Sequence, residues 1–367
     1  MRSQGILKLI SINLLVFVGL ILSLLFIMSL AGDTFNFAKS FFPKNDERAE
    51  LPSYQDHEKA RRIYRDQRIS DSIYVPFTEW RQPQYTSENL NIDENGYRLH
   101  TVGTDNDPNA QTLGFFGGST VWGTGVDDNG TLSGQFDALT TNYNVTNYGE
   151  RGYTSLQNLI DLMKLMNQNK APQVAVFFQG FNDIWVHCNE FVAPSLNGHL
   201  EEKNIQAALN RSAKRYYLYN NIVVPMMSLS LEMIGGSKDS QSASCSNNPA
   251  RAEAVAELIV RNMEMGRSLV TSYGGKFYAF LQPHAYVGKP RIDQLDLDKP
   301  DRLIQRRQFE AVYPIVQAKL KSRGSGWFFD ISNVIDGTQY LLVDHAHVTD
   351  EGNRIIAGAI KRKIDGL

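Results

Sequence analysis

Cysteine and histidine are scarce in this chain, with 2 and 7 among 367 residues, and apart from one H-x-H pair they form no cluster at metal-ligand spacing. No resident metal or other cofactor is expected. Charge of one sign is also missing. Lys and Arg total 37 against 39 Asp and Glu, a formal charge of -2, and no dense basic stripe interrupts that balance. A nucleic-acid partner is therefore disfavoured, while neutral or acidic polymers fit. No internal repeat is evident, and no G-x-S-x-G occurs, which argues against an ordinary α/β-hydrolase nucleophile elbow.

Charge is absent altogether from Leu9 to Gly32. At about 1.5 Å per residue such a run covers roughly 36 Å as a helix, enough to cross a bilayer. Arg2 and Lys8 precede it and Asp33 follows, so the positive-inside bias leaves the N-terminus cytoplasmic and exports the body. The run exceeds the usual apolar length of a cleaved signal, which favours a retained anchor, with cleavage after Ser29-Leu30-Ala31 as the alternative. Both cysteines, Cys188 and Cys245, lie in the exported part, where an oxidising compartment permits one disulfide; two unpaired buried thiols are the other reading.

The expected organisation is a cytoplasmic tip and membrane anchor over 1–32, a stalk and small β-containing lead-in over 33–110, and a catalytic domain over 111–367. Residues 33 to about 70 carry clustered charges, among them Arg48, Arg61, Arg62 and Arg65, and read as a solvated, partly helical stalk. Residues 72–100 are aromatic and β-prone, with Asp93-Glu94-Asn95-Gly96 as a hairpin turn. Tyr74, Phe77, Trp80 and Tyr85 there suit packing against the main domain, or a sugar ligand.

From Gln111 strands and helices alternate. Apolar runs predict strands at Thr112 to Phe116, Tyr143 to Val145, Val174 to Phe178, Lys276 to Leu281 and Tyr340 to Val343, with helices over Arg251 to Ser272 and Leu303 to Ser322. This rhythm predicts α/β: a three-layer α/β/α sandwich around a flat, doubly wound parallel sheet. Residues 186–250 break it as an insertion, whose Tyr216 to Ile234 is apolar but carries Asn220, Asn221 and Pro225. Packing over the catalytic domain, or a membrane-touching lid, accounts for that stretch.

Four polar motifs follow apolar runs: GGST at 117–120, NYGERGYT at 147–154, GFND at 180–183 and DHAH at 344–347. Beyond the carboxyl ends of parallel strands is where such sheets bind ligands. A serine hydroxyl is a weak nucleophile and needs a base in reach and a group to orient that base; Ser119, His347 and Asp344 can fill these roles. Asp and His three residues apart can share one turn, leaving Nε2 to face the serine, with His345 as a competing base. An H-x-H metal site, with His187 or His284 as distant ligands, is the alternative use of that motif. Negative charge on an acyl oxygen needs donors, for which the N–H groups of Ser119 and Gly152 and the Asn182 amide are suited. Gly235-Gly236-Ser237 repeats the GGS tripeptide without a preceding strand and receives no role.

In their order and spacing these motifs resemble those of the SGNH, or GDSL, hydrolases over roughly residues 111–364. The resemblance places Ser119 at the block I nucleophile, Gly152 and Asn182 at the block II and III donors, and Asp344 with His347 at block V. It implies a flavodoxin-like fold. Block I departs from the pattern, because Gly118 stands where GDS has Asp. What the resemblance implies is a serine esterase acting through an acyl-enzyme on O-acetyl groups of a cell-surface carbohydrate, or on a lipid ester. An O-acyltransferase for an exported polysaccharide and a non-catalytic scaffold are the alternatives. The sequons at Asn129, Asn144 and Asn210 are too common to decide the host.

Overall fold

The computed structural model describes residues 46–68, 72–101, 107–189, 244–323 and 326–366, with Asn13, Val16, Phe17, Gly19, Leu20 and Ser23. The chain divides into two units, Met1–Asp46 and Glu47–Leu367. In the first, the six described positions before Asp46 are helical. Most of the run from Leu9 to Gly32 lies outside the described residues, and among those described no helix is long and apolar enough to cross a membrane. The apolar stretch Tyr216 to Ile234 and Gly235-Gly236-Ser237 also lie outside them.

The second unit begins with a 3₁₀ turn, Glu47–Glu50, and helix α1, His57–Asp66. Asp56 starts α1 by accepting the Lys59 N–H at 2.9 Å, satisfying one of the donors a helix start leaves open. Ala60, Ile63 and Tyr64, at helical spacing, form its buried face. This segment therefore differs from the expected solvated stalk. Its charges pair on the outer face, as Arg61 does with Glu50, while Ala49, Ala60 and Tyr64 cluster beneath and Gln67 is buried. The physical reason is the apolar stripe, which the dense charges hide in the sequence.

Two short ribbons follow, β1 Ile73–Val75 with β2 Glu79–Arg81, and β3 Tyr85–Thr86 with β4 Asn91–Ile92. The turn at Asp93–Gly96 forms as the Asn-Gly pair predicts: Gly96 adopts φ 82° and Asp93 accepts the N–H groups of Asn95 and Tyr97. Of the four lead-in aromatics, Trp80 donates to the Arg151 carbonyl at 2.9 Å and packs edge-on against Tyr153, and Tyr85 packs beside Leu90, Ile92 and Trp122. Tyr74 and Phe77 are exposed. Two buried arginines pin these ribbons down: Arg81 pairs with Asp161, and Arg98 Nε donates to Asp128 at 2.9 Å. Loss of one partner would strand a buried charge, so these pairs fix position strongly.

The main sheet has five parallel strands: β5 Gln111–Gly117, β6 Tyr143–Asn147, β7 Val174–Gln179, β8 Lys276–Leu281 and β9 Phe328–Asp330. Their order is β6-β5-β7-β8-β9, which is the 2-1-3-4-5 order of flavodoxin-like sheets. Central β7 is buried along its whole length, as an apolar strand covered on both faces must be. The helices are α2 Ser119–Trp122, α3 Leu132–Asp137, α4 Ser155–Asn167, α5 Phe181–His187, α6 Pro249–Ser272, α7 Pro300–Arg323 and α8 Asp350–Ile364. Helix α6 packs against α4 and α7, and α8 packs against α3. With right-handed crossovers, reversal of strand order places these two groups on opposite faces, giving the three layers.

One expected strand is absent. Tyr340 to Val343 does not join the sheet; it forms a single antiparallel bridge, Leu342 to Val348, and Val343 N–H donates to the His347 carbonyl at 2.9 Å. Leu341, Leu342 and Val343 are buried there by a tight reverse turn instead of by strand pairing. Cys188 and Cys245 form a disulfide with Cα atoms 5.1 Å apart, which joins the two ends of the expected insertion.

Candidate active site

The order of the strands reverses between β5 and β7, the switch point where doubly wound sheets open a crevice. Ser119 follows β5 there as the first residue of α2, and Asn182 follows β7 as the second residue of α5. Gly152 lies on the loop after the neighbouring β6.

Gly118 explains its own departure from GDS. A Cβ at this position would sit 2.2 Å from Asn182 Nδ2 and 3.4 Å from the Tyr153 carbonyl oxygen. No side chain fits, because the Asn182 amide occupies that space. The same amide donates to the Tyr153 oxygen at 2.9 Å, which fixes its direction and leaves its second N–H for a ligand. Asn182 lies inside α5, whose cap is Gly180, so it does not serve as a capping residue. Gly152 holds φ 78°, a left-handed conformation that glycine adopts without steric penalty.

The DHAH turn brings the remaining groups in. His347 Nε2 lies 2.7 Å from Ser119 Oγ, and His347 Nδ1 lies 2.8 Å from both Asp344 oxygens. Asp344 Oδ1 also accepts the N–H groups of Ala346 and His347, each at 2.9 Å. Burial alone pushes the Asp344 carboxyl up, but His347, His345 and Arg48 outweigh it and hold the group well below the ordinary carboxylate range. Asp344 is therefore an acceptor throughout the physiological range.

His345 points elsewhere. Its ring packs against Phe181 and stacks on Tyr286, and Arg302 Nη1 lies 3.1 Å from its Nδ1. Burial lowers it to about 4, so it is a neutral ring wedged in an aromatic cluster. His284 is likewise a core residue, ringed by Phe181, Phe309 and Tyr313 and lowered by burial to about 3. Among the described residues no group of three or more His, Cys, Asp or Glu is placed to hold a metal ion.

Several residues of this region received no role from the sequence, although the motifs NYGERGYT and GFND contain three of them. Asn147 donates to the Val121 carbonyl at 2.8 Å and accepts the Gly149 N–H, tying β6 to α2. Asp183 accepts both the N–H and hydroxyl of Ser155 at the start of α4, and burial raises it. Glu150, fully buried, accepts the N–H groups of Gln82 and Arg151 and is pushed up to about 7 by burial. Arg48, 296 residues away in sequence, donates to Asp344 Oδ2 at 2.7 Å. Polar residues at such separations leave no local pattern; only the motif NYGERGYT flagged Asn147 and Glu150 at all.

A cavity of about 590 Å³ borders Trp185, Asn189, Arg302, Ile304 and Phe309. A second, of about 750 Å³, lies between Tyr54, Lys59, Asp127, Tyr340 and Arg354. Neither is lined by Ser119, Gly152, Asn182, Asp344 or His347. The hydrogen-bond geometry, and not cavity size, therefore locates the site.

No protein-family model matches the chain, and no curated protein matches it. Among solved structures, the native aryl esterase of M. smegmatis aligns at a TM-score of 0.39 and 14% identity, over 70% of this chain and 100% of that one. A carbohydrate acetylesterase family member from Sinorhizobium meliloti aligns at 0.34 and 13%, over 70% and 100%. A member of the lipolytic protein G-D-S-L family from Veillonella parvula aligns at 0.34 and 15%, over 69% and 97%. Likenesses this distant carry no argument about chemistry, which rests on the residues themselves.

Proposed function

We propose that this chain is an SGNH-type serine esterase in which Ser119 is the nucleophile, His347 the base and Asp344 its orienting partner. The observation that carries the reading is the continuous hydrogen-bonded line from Ser119 Oγ through His347 to Asp344. His347 is within hydrogen-bond reach of Ser119 on one side and of Asp344 on the other, as acyl transfer requires of a base.

In this reading His347 Nε2 takes the Ser119 hydroxyl proton as Oγ attacks the ester carbonyl carbon. The N–H groups of Ser119 and Gly152 and the free N–H of Asn182 receive the resulting oxyanion. His347 returns its proton to the departing alcohol oxygen, leaving an acyl-serine. Water, deprotonated by the same nitrogen, then releases the acid and restores the serine. The three donors act where charge develops, and each is typically worth about 3 kcal/mol.

The substrate proposed is an O-acetyl ester on a cell-surface carbohydrate, met outside the cytoplasm by a protein anchored through Leu9 to Gly32. The disulfide supports an oxidising compartment, since such bonds rarely persist in the cytosol. Protease digestion of intact and permeabilised cells tests this side: cleavage only after permeabilisation of the inner membrane would overturn the exported placement.

The chemistry is tested by hydrolysis of p-nitrophenyl acetate and longer acyl esters by the full-length chain. Ser119→Ala is expected to lower kcat by roughly 10⁴-fold or more, with binding retained. A variant as active as the parent would sink the serine mechanism. Preference for acetate, and release of free acetate from acetylated glycan, would support the proposed substrate class over a lipid ester.

A further inference from the structure

The segment before the catalytic body grips both halves of the site. Gln67 Nε2 donates to the carbonyls of Gly123 and Val126, and its oxygen accepts the Gly125 N–H, holding the loop that leaves the Ser119 helix. Tyr54 donates to the Gly125 carbonyl at 2.7 Å and meets the Tyr64 hydroxyl at 2.9 Å. On the other side, Ser53 donates to the carbonyl of Leu342 at 2.7 Å, at the root of the DHAH turn. Arg48 then reaches Asp344 Oδ2 at 2.7 Å with its guanidinium over the Tyr64 ring, 4.6 Å from the centroid.

We infer that residues 48–67 form a clasp that joins the nucleophile loop to the base loop, and that Arg48 is a positioning residue acting on His347 through Asp344. The inference rests on the esterase reading for its meaning but has an independent readout. Asp344 Oδ1 is already bound by two backbone N–H groups, whereas the described partners of Oδ2 are Arg48 Nη1 and His347 Nδ1, the latter equally close to both oxygens. Arg48 therefore fixes the second oxygen and with it the plane of the carboxylate. Its positive charge also weakens the field that Asp344 offers to a protonated His347.

The charged and titratable groups around this carboxylate are Arg48 from the 3₁₀ turn, Tyr54 from the loop after it, and His345 and His347 on its own turn, with Arg302 of α7 behind His345. Removing Arg48 leaves Asp344 Oδ2 with His347 Nδ1 alone among its described hydrogen-bond partners, so the carboxylate plane, and with it the direction of His347 Nε2 toward Ser119 Oγ, loses a constraint.

The test is NMR of His347 at one fixed pH in the full-length chain with ¹⁵N-labelled histidine, reading the Nδ1–H signal that reports the hydrogen bond to Asp344, beside Arg48→Gln and Arg48→Lys. Arg48→Gln is expected to move that signal away from its position in the parent. Arg48→Lys, keeping the charge but not the planar guanidinium, should return it most of the way. With p-nitrophenyl acetate, Arg48→Gln should lower kcat about tenfold with KM little changed, as expected for misplacement of a catalytic group. An Nδ1–H signal at the same position in all three proteins overturns the inference, as does an equal displacement in the Lys and Gln variants. Because the NMR signal needs no turnover, loss of the esterase reading through Ser119→Ala would leave this question separately answered.

Discussion

The two halves of the site are held by different means. Ser119 and Asn182 stand within three residues of the ends of β5 and β7, strands buried at the centre of the sheet, and Gly152 follows β6 on a loop tied by Asn147. Asp344 and His347 stand on a turn off the sheet, closed by the Leu342–Val348 bridge and gripped from outside by residues more than 280 positions earlier. A buried parallel sheet places its strand ends with little freedom, because a shift of any one strand disturbs packing on two faces. A reverse turn has no such constraint and depends on its side-chain hydrogen bonds. Ser119, the proposed nucleophile, and its proposed donors therefore inherit their geometry from the core, while His347, the proposed base, inherits its geometry from contacts off the sheet.

That contrast can be broken most sharply at Asp344. Asp344→Asn keeps one oxygen for the N–H groups of Ala346 and His347 but presents an amide NH₂ to His347 Nδ1, favouring the wrong tautomer. A fall in kcat of about 10⁴-fold is expected with thermal stability nearly unchanged. A small loss of rate would show that the turn orients His347 without the carboxylate. Next in size is Asn182→Ala on the sheet side. Removing one oxyanion donor should lower kcat by about 10²- to 10³-fold, and the Arg48→Gln change should multiply that loss independently. Strong coupling between the two substitutions, measured as a double-mutant cycle, would mean that the halves are not held separately.

The smallest effect concerns stability. Glu150 lies beneath the β6 loop with a folded-state value of about 7 against an ordinary 4.5. A raised carboxyl binds a proton more tightly in the folded state, so the stability it contributes is full below 4.5 and is lost as pH rises toward 7. Tm measured across that window should fall with pH in the parent and fall less in Glu150→Gln. Identical slopes would mean that Arg81, whose Nη1 lies 4.0 Å away, already neutralises the buried carboxylate.

Much of the fold was legible along the chain. The strands at 112–116, 174–178 and 276–281 and the helices at 251–272 and 303–322 were found within a few residues, because alternating apolar runs and helical periodicity are local properties. Tyr340 to Val343 shows where that logic stops: four apolar residues bury equally well in a strand or beneath a turn, and only sheet pairing distinguishes them. The charged segment 47–67 failed for the converse reason, since three buried positions in a helix are easily masked by the ions around them.

The sequence dictates the D-x-x-H turn, whose two members are three residues apart and meet through local backbone geometry alone. It also determined which glycine, asparagine and serine end the strands, because strand ends are marked by a change from apolar to small polar residues. Long-range packing is what denies Gly118 a side chain beside Asn182, wedges His345 among aromatic rings and brings Arg48 to Asp344. These contacts join residues 64 to 296 positions apart or depend on rings from several elements. Such meetings follow from how the whole sheet and its flanking segments pack, and no run of neighbouring residues encodes them.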